Sequence, residues 1–407
     1  MRAAMSKRLL GVSIASVLGV VLAASGANAA KYGPGASDTE IKIGNTNPYS
    51  GPASAYGSIG KSITSYWKMV NDNGGIKGRK VNFITLDDSY SPPKTVEQIR
   101  KLVEQENVLL VFQPLGTPSN TAIQKYMNAK KVPQVFVATG ATKWSNFKQN
   151  PWTMGWQPNY QAESKAYAAY VLKNKPNAKI GILYQNDDYG KDYLHGFKEG
   201  LGDKASKMIV SELSYETSDP TVDSQIVALK SSGADVFFNI TTPKFAAQAI
   251  RKAHEINWKP LQLLNNVSSS ITSVLTPAGL DASKGVLTSA YLKDPFDPQY
   301  ENDKDMKDWR AWMKKYNPDA NPNDAFYLYG YSVAASLHKV LEQAGDDLTR
   351  ENVMRQAANL KDYSAPLLLP GIKINTSPTD YAPIEAIRLQ EFDGKTYKLI
   401  GDVIGSN

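Results

Sequence analysis

The chain holds few residues suited to bond-making chemistry. Its 407 residues include three histidines, His195, His254 and His338, and no cysteine. His195 and His254 fall on expected helices without a second histidine at metal-ligating spacing, and neither an H-E-x-x-H nor a G-x-S-x-G pattern occurs. Gly60-Lys61-Ser62 resembles the end of a phosphate-binding loop, but the glycine that loop needs five positions earlier is Ala55. The acidic pairs Asp87-Asp88 and Asp187-Asp188 sit at expected strand ends, where carboxylates cap helices more often than they catalyse. What remains are polar and aromatic side chains in Gly-containing loops, among them Tyr49, Ser50, Tyr56, Asp187 and Tyr189. Such groups suit recognition of a small molecule, so the expectation is a binding protein without enzymatic activity or cofactor.

The elements that must position these loops follow from an internal echo. Ile41-Lys42-Ile43-Gly44 recurs as Ala178-Lys179-Ile180-Gly181, each time as a short apolar strand running into a polar loop. Pro93, Gln98, Ile99 and Leu102 recur as Pro220, Gln225, Ile226 and Leu229, with proline expected in a first helical turn. The apolar runs Val108–Phe112 and Val236–Phe238 then read as strands buried on both faces. Between them lie helical stripes: Ile59, Ile63, Trp67 and Val70 mark one, Phe245, Ala249, Ile250 and Ala253 another. Strand and helix alternate throughout, which predicts an α/β chain of two Rossmann-like lobes with parallel-sheet cores. In such sheets ligands sit outside the carboxyl ends of the strands, so two facing lobes make a cleft that can close.

Composition agrees. Hydrophobic residues make up 42% of the chain, enough for two cores, and charged residues only 21%, without long runs of one sign. Arg2, Lys7 and Arg8, the apolar stretch from Leu9 to Ala24, and Ala27-Asn28-Ala29 read as a cleavable signal peptide over residues 1–29. Its removal takes three basic residues from a net charge of +7 and leaves about +4. With lysine and arginine scattered, nucleic acid is not an expected partner. Without cysteine there is no lipid anchor on a thiol and no disulfide, so the expected location is the periplasm, unanchored.

Ordered motifs add a family resemblance. Ile41-Lys42-Ile43-Gly44, Ser50-Gly51-Pro52, Tyr56-Gly57 and the run Asn71 to Arg79 open the chain; Asp187-Asp188-Tyr189-Gly190, Gly233-Ala234-Asp235-Val236 and Gly330-Tyr331 follow. In this order they resemble the leucine/isoleucine/valine-binding type of periplasmic solute-binding proteins, which serve ABC importers. The resemblance implies lobe one from 38–156 plus 291–365 and lobe two from 157–290 plus 366–407. A three-crossover hinge near Trp156, Tyr291 and Pro366 would join them around a ligand cleft. It implies a monomer that meets a small-molecule ligand and the membrane permease of an importer. It also places ligand-contacting positions at Tyr56, Thr117, Ala138, Gly140, Tyr189, Thr242 and Asn266. Family positions for an acid that meets the ligand's α-ammonium group fall near Pro158 and at Asn266, neither of which ionises. A small carboxylate, an aromatic acid or an amide therefore competes with an amino acid as ligand, and a sensory role competes with transport. Trp144 and Trp156 lie close to the expected cleft; they read first as core or rim residues, and would favour a flat or aromatic ligand if they line the site.

Overall fold

A computed structural model describes Met1 and residues 31–405. The expected signal peptide lies outside the described residues apart from Met1.

Two parallel sheets carry the chain. In the first, β1 (Glu40–Asn47) is flanked by β2 (Lys80–Asp87) and β3 (Leu110–Phe112), and β4 (Gln134–Val137) and β5 (Thr153–Gly155) continue outward, giving the order β2-β1-β3-β4-β5. The second repeats this plan. β6 (Ile180–Gln185) lies between β7 (Ile209–Tyr215) and β8 (Val236–Ile240), followed by β9 (Leu261–Leu264) and β10 (Leu287–Ala290). The echoed segments thus open equivalent strands: Ile43 sits beside Leu110, and Ile182 beside Phe238, each pair in parallel register. The second sheet gains two antiparallel strands, β11 (Ala386–Phe392) on β10 and β12 (Tyr397–Gly405) at the edge.

Helices cover both sheets, as buried parallel strands require. α1 (Gly57–Asp72), α2 (Pro92–Arg100) and α3 (Thr117–Lys130) alternate with the first strands. α4 (Tyr160–Asn174), α5 (Asp188–Leu201), α6 (Asp223–Ser231) and α7 (Pro243–Glu255) serve the second. Proline occupies the first turn of α2, but Pro220 lies in the loop before α6, so the helical echo is looser than the strand echo.

α8 (Lys304–Tyr316), α9 (Ala325–Ala344) and α10 (Arg350–Ala357) return to the first lobe, where Trp309, Val333, Leu337 and Val353 join a core with Ile41, Ile43, Ile63 and Trp67. The segment after Pro366 also stays there. Leu367, Leu369, Ile372, Ile374 and Ile384 pack in the same core, whereas Ile387 and Leu389 pack in the second. An apolar run thus continues in the first core beyond Pro366, and the packing passes to the second core between Ile384 and Ile387. Trp156 and Tyr291, at the other two passages, stack edge to face with ring centres 6.0 Å apart. No helix among the described residues is long and apolar enough to cross a membrane.

α1 and α9 approach closely at Gly330. A methyl group added there would lie 2.6 Å from Ser62 Cβ and 2.9 Å from the Ile59 carbonyl oxygen. Replacing Gly330 by alanine is expected to lower stability by about 1–3 kcal/mol through overpacking. Urea unfolding reads this directly, and an unchanged midpoint would contradict the close crossing.

Candidate functional site

Each βα unit brings the carboxyl end of a strand and the amino end of the next helix to the same edge. The two sheets face each other along these edges, and a cavity lies between them with about 110 Å³ of room for the centres of water molecules. At roughly 10–15 Å³ per water, this suits several waters or a small organic molecule. Thr117, Ala138 and Leu115 line it from the first lobe, and Tyr189, Thr242 and Asn266 from the second. Tyr56 stands where α1 begins.

Six of the seven positions carried over by resemblance therefore meet on one cavity: Tyr56, Thr117, Ala138, Tyr189, Thr242 and Asn266. Gly140 does not. It packs behind the wall, where an added methyl would lie 2.7 Å from the Tyr160 ring, and its carbonyl accepts the Tyr160 N–H at 2.8 Å. Its lack of a side chain makes room for Tyr160, which does line the cavity. Thr117 opens α3 itself rather than preceding it, and its hydroxyl bonds the Thr139 hydroxyl at 2.6 Å.

The two tryptophans take core places, the first of the two readings. Trp144 and Trp156 are fully buried, and their indole N–H groups donate to Thr139 Oγ1 at 3.1 Å and Ser336 Oγ at 3.0 Å. Neither borders the cavity, because indoles of this size fill the cores beside the crossings. The aromatic wall is made of tyrosine instead. Tyr90, Tyr160, Tyr291 and Tyr329 join Tyr56 and Tyr189, with Phe326 completing it. Tyr160 stacks on Tyr193 at 4.2 Å, and Tyr189 meets both edge to face. Burial holds the Tyr56 and Tyr189 phenols well above their ordinary pKa, so both serve as neutral hydrogen-bonding groups.

The lobes touch across the cleft. Tyr56 donates its O–H to the Val267 carbonyl at 3.0 Å, and Thr272 donates to the Asn323 carbonyl at 3.2 Å. Lys143 pairs with Asp188 at 2.7 Å. Beside the mouth, Gly51, Pro52 and Ser54 face Asp219, Pro220 and Lys244 across a wider groove. The acidic pairs are committed to structure. Asp187 caps α5 by accepting the Tyr189 N–H at 2.9 Å, which fixes the start of that helix at the cavity. Asp87 accepts from the Tyr49 N–H, the Ser50 N–H and hydroxyl, and Lys94. Of the histidines, His195 pairs with Glu199 on the surface and His338 bonds the Tyr66 hydroxyl. No group of histidine and carboxylate side chains able to hold a metal ion occurs among the described residues.

Electrostatically the wall has two characters. α1, α3 and α7 begin at Tyr56, Thr117 and Thr242, and none has a side-chain cap. Their positive dipole ends favour a negatively charged group in the cavity. Two acids were not found by reading the sequence. Glu163, on α4, is buried and accepts from the Tyr167 hydroxyl at 2.6 Å, the Tyr193 hydroxyl at 2.8 Å and the Asn266 N–H at 2.8 Å. Burial raises its pKa, and these donors oppose the rise. It holds Asn266 and, through Tyr193, the Tyr160 ring. Asp294 lies in the cavity wall itself, just after the second crossing. Burial, helped by the neighbouring Asp297, pushes it up to about 7.

Two facing α/β lobes around a mixed aromatic and polar cavity define a cleft-type small-molecule binder. A family model described as periplasmic binding protein matches residues 40–396, and the chain belongs to that family. Among curated proteins it is 22% identical over 264 residues to Leu/Ile/Val-binding protein homolog 7 of Brucella suis biovar 1; this match spans 63% of the chain and 62% of that relative. Among solved structures, a branched chain amino acid ABC transporter protein from Thermus thermophilus with bound valine superposes with a TM-score of 0.80 at 15% identity, covering 91% of this chain and 97% of that one. A fatty acid ABC transporter substrate-binding protein from Thermomonospora curvata gives 0.78 at 23% identity, covering 92% and 95%.

A carboxyl whose pKa is higher folded than unfolded binds its proton more tightly in the native state. Stability from Asp294 is therefore present below its unfolded value, near 4, and is lost as pH rises through about 7. The ligand-free wild type should lose more stability over that interval than Asp294→Asn, which lacks the titrating group. Denaturant melts at matched pH values measure the difference, and parallel curves would contradict the burial of this carboxyl.

Proposed function

We propose that the protein captures a small organic solute, an amino acid or a related carboxylate, by closure of its two lobes, and delivers it to the membrane permease of an ABC importer. The observation that carries this reading is a cavity walled from both lobes and bridged by the Tyr56 hydroxyl on the Val267 carbonyl. A ligand held there would touch both lobes, which is what couples binding to closure. The uncapped starts of α1, α3 and α7 support a carboxylate on the ligand. Tyr56, Thr117, Ala138, Tyr189, Thr242 and Asn266 are the proposed contacts, and Gly140 is a packing position behind them.

The relative and neighbours are named for leucine, isoleucine and valine, for branched-chain amino acids and for a fatty acid, which supports a fold that accommodates ligands with and without an amino group. The aromatic wall favours a second reading in which the ligand is an aromatic carboxylate. The chain acts in the periplasm after removal of residues 1–29, as a non-catalytic monomer. The lobes are 38–156 with 291–384 and 157–290 with 385–407, the last boundary following the packing of Ile384 and Ile387.

Ligand-free protein should gain thermal stability from amino acids or small carboxylates in proportion to occupancy. Replacing Tyr189 by alanine should weaken that ligand by about tenfold or more and, because the ring is buried against Tyr160 and Tyr193, should also lower the unliganded melting temperature. Titration calorimetry with melting curves tests both, and unchanged affinity would remove Tyr189 from the site. Deleting the gene should abolish uptake of the same compound; retained uptake with a lost transcriptional or chemotactic response would point to sensing.

A further inference from the structure

We infer that the cavity receives a protonated amine and that the carboxylate of Asp294 is its counter-charge. The inference rests on the solute-capture reading and names the chemistry of the solute. Asp294 lies deep in the molecule, yet part of its surface stays open, as on a cavity wall. One carboxylate oxygen accepts the Phe296 N–H at 2.7 Å, and the Asp297 N–H closes the turn on the Asp294 carbonyl at 3.1 Å. The other oxygen takes no hydrogen bond among the described residues.

The charge of this side chain is not needed for the turn. Asparagine would accept the same N–H at the same position without the cost of burying a carboxylate. Nor does a cation of the chain compensate it. Lys293, the adjacent residue, turns its ammonium to Asp303 at 2.8 Å and Asp305 at 3.3 Å. The charged group acting on Asp294 is another acid, Asp297. A carboxylate buried beside a second acid is held in its charged form by donors and, most strongly, by a positive partner. The tyrosine-rich wall is the surface on which a cation is further favoured, through the negative faces of the rings.

Asp294 also supplies what the family alignment lacked. The positions expected to hold an ammonium group are Pro158 and Asn266, but the Asn266 carboxamide donates to the Ser289 carbonyl at 2.6 Å. The acid comes instead from the crossing segment. With uncapped helix starts elsewhere on the same cavity, the wall offers opposite charges to the two ends of a zwitterion.

The test uses full-length mature protein, unfolded and refolded to remove bound solute, and matched compounds. These are L-leucine, 4-methylpentanoate and 3-methylbutylamine, with L-phenylalanine, 3-phenylpropanoate and 2-phenylethylamine. Calorimetry at about pH 8 should show at least about tenfold tighter binding of an amine-bearing compound than of its deaminated acid. Asp294→Asn, which keeps the turn, should erase that preference by weakening the amine-bearing compound about tenfold or more. Equal or tighter binding of the deaminated acid by wild type would overturn the inference while leaving solute capture standing. So would an amine preference that survives in Asp294→Asn. Mass spectrometry of solute released from protein purified from its own periplasm gives a second readout. A solute without a basic nitrogen would overturn the inference, and a wild type that binds none of the six compounds and carries no solute would overturn solute capture itself.

Discussion

A parallel strand and the helix that follows it place two chemically useful ends at one edge: the last strand residues and the first N–H groups of the helix. Everything at this cavity depends on that constraint being applied twice. β1, β3 and β4 deliver Tyr56, Thr117 and Ala138 through the segments that follow them, while β6, β8 and β9 deliver Tyr189, Thr242 and Asn266. Because the same plan is used in both lobes, facing the two edges brings helix starts to a common space from opposite sides. The positive character of those helix starts is a property of the backbone.

The constraint also explains how much was legible in the sequence. Short apolar runs and 3.6-residue stripes mark the strands and helices, and the residues just past a strand are then placed at the cleft by topology alone. That is why Tyr56, Thr117, Ala138, Tyr189, Thr242 and Asn266 share one cavity. Gly140 shows the limit: two residues beyond Ala138, the chain has already turned behind the wall, and no period distinguishes a backbone facing a cavity from one making room for the Tyr160 ring. Trp144 and Trp156 show another, since a large apolar side chain near a cleft reads the same whether it fills the core or lines the site. Pro366 reads as a boundary, yet Leu367, Leu369 and Ile372 beyond it pack in the first core.

The two acids were hidden for different reasons. Glu163 did leave a signal: it lies three residues after Tyr160 and four before Tyr167, on a helical face otherwise made of buried residues. An acid on such a stripe needs donors, and the structure supplies two phenols and a backbone N–H. Asp294 left none. Its segment, rich in proline and acids, reads as an exposed turn, and only the second crossing carries it into the cleft.

Residues supplied by crossing segments differ physically from those supplied by strand ends. A strand-end side chain is fixed to one lobe, and its position relative to its own helix starts does not change on closure. Lys293 and Tyr291 belong to the segment that returns to the first lobe, and it pairs there with the Leu367–Leu369 segment through the Lys293 N–H to the Leu367 carbonyl and the Leu369 N–H to the Tyr291 carbonyl, each 2.9 Å. Lys293, tied to both Asp303 and Asp305, anchors the paired segments to the start of α8 in the first lobe. The Asp294 carboxylate is thereby fastened to the first lobe beside that anchor, and under the proposed closure its distance from Asn266 is the one that would change.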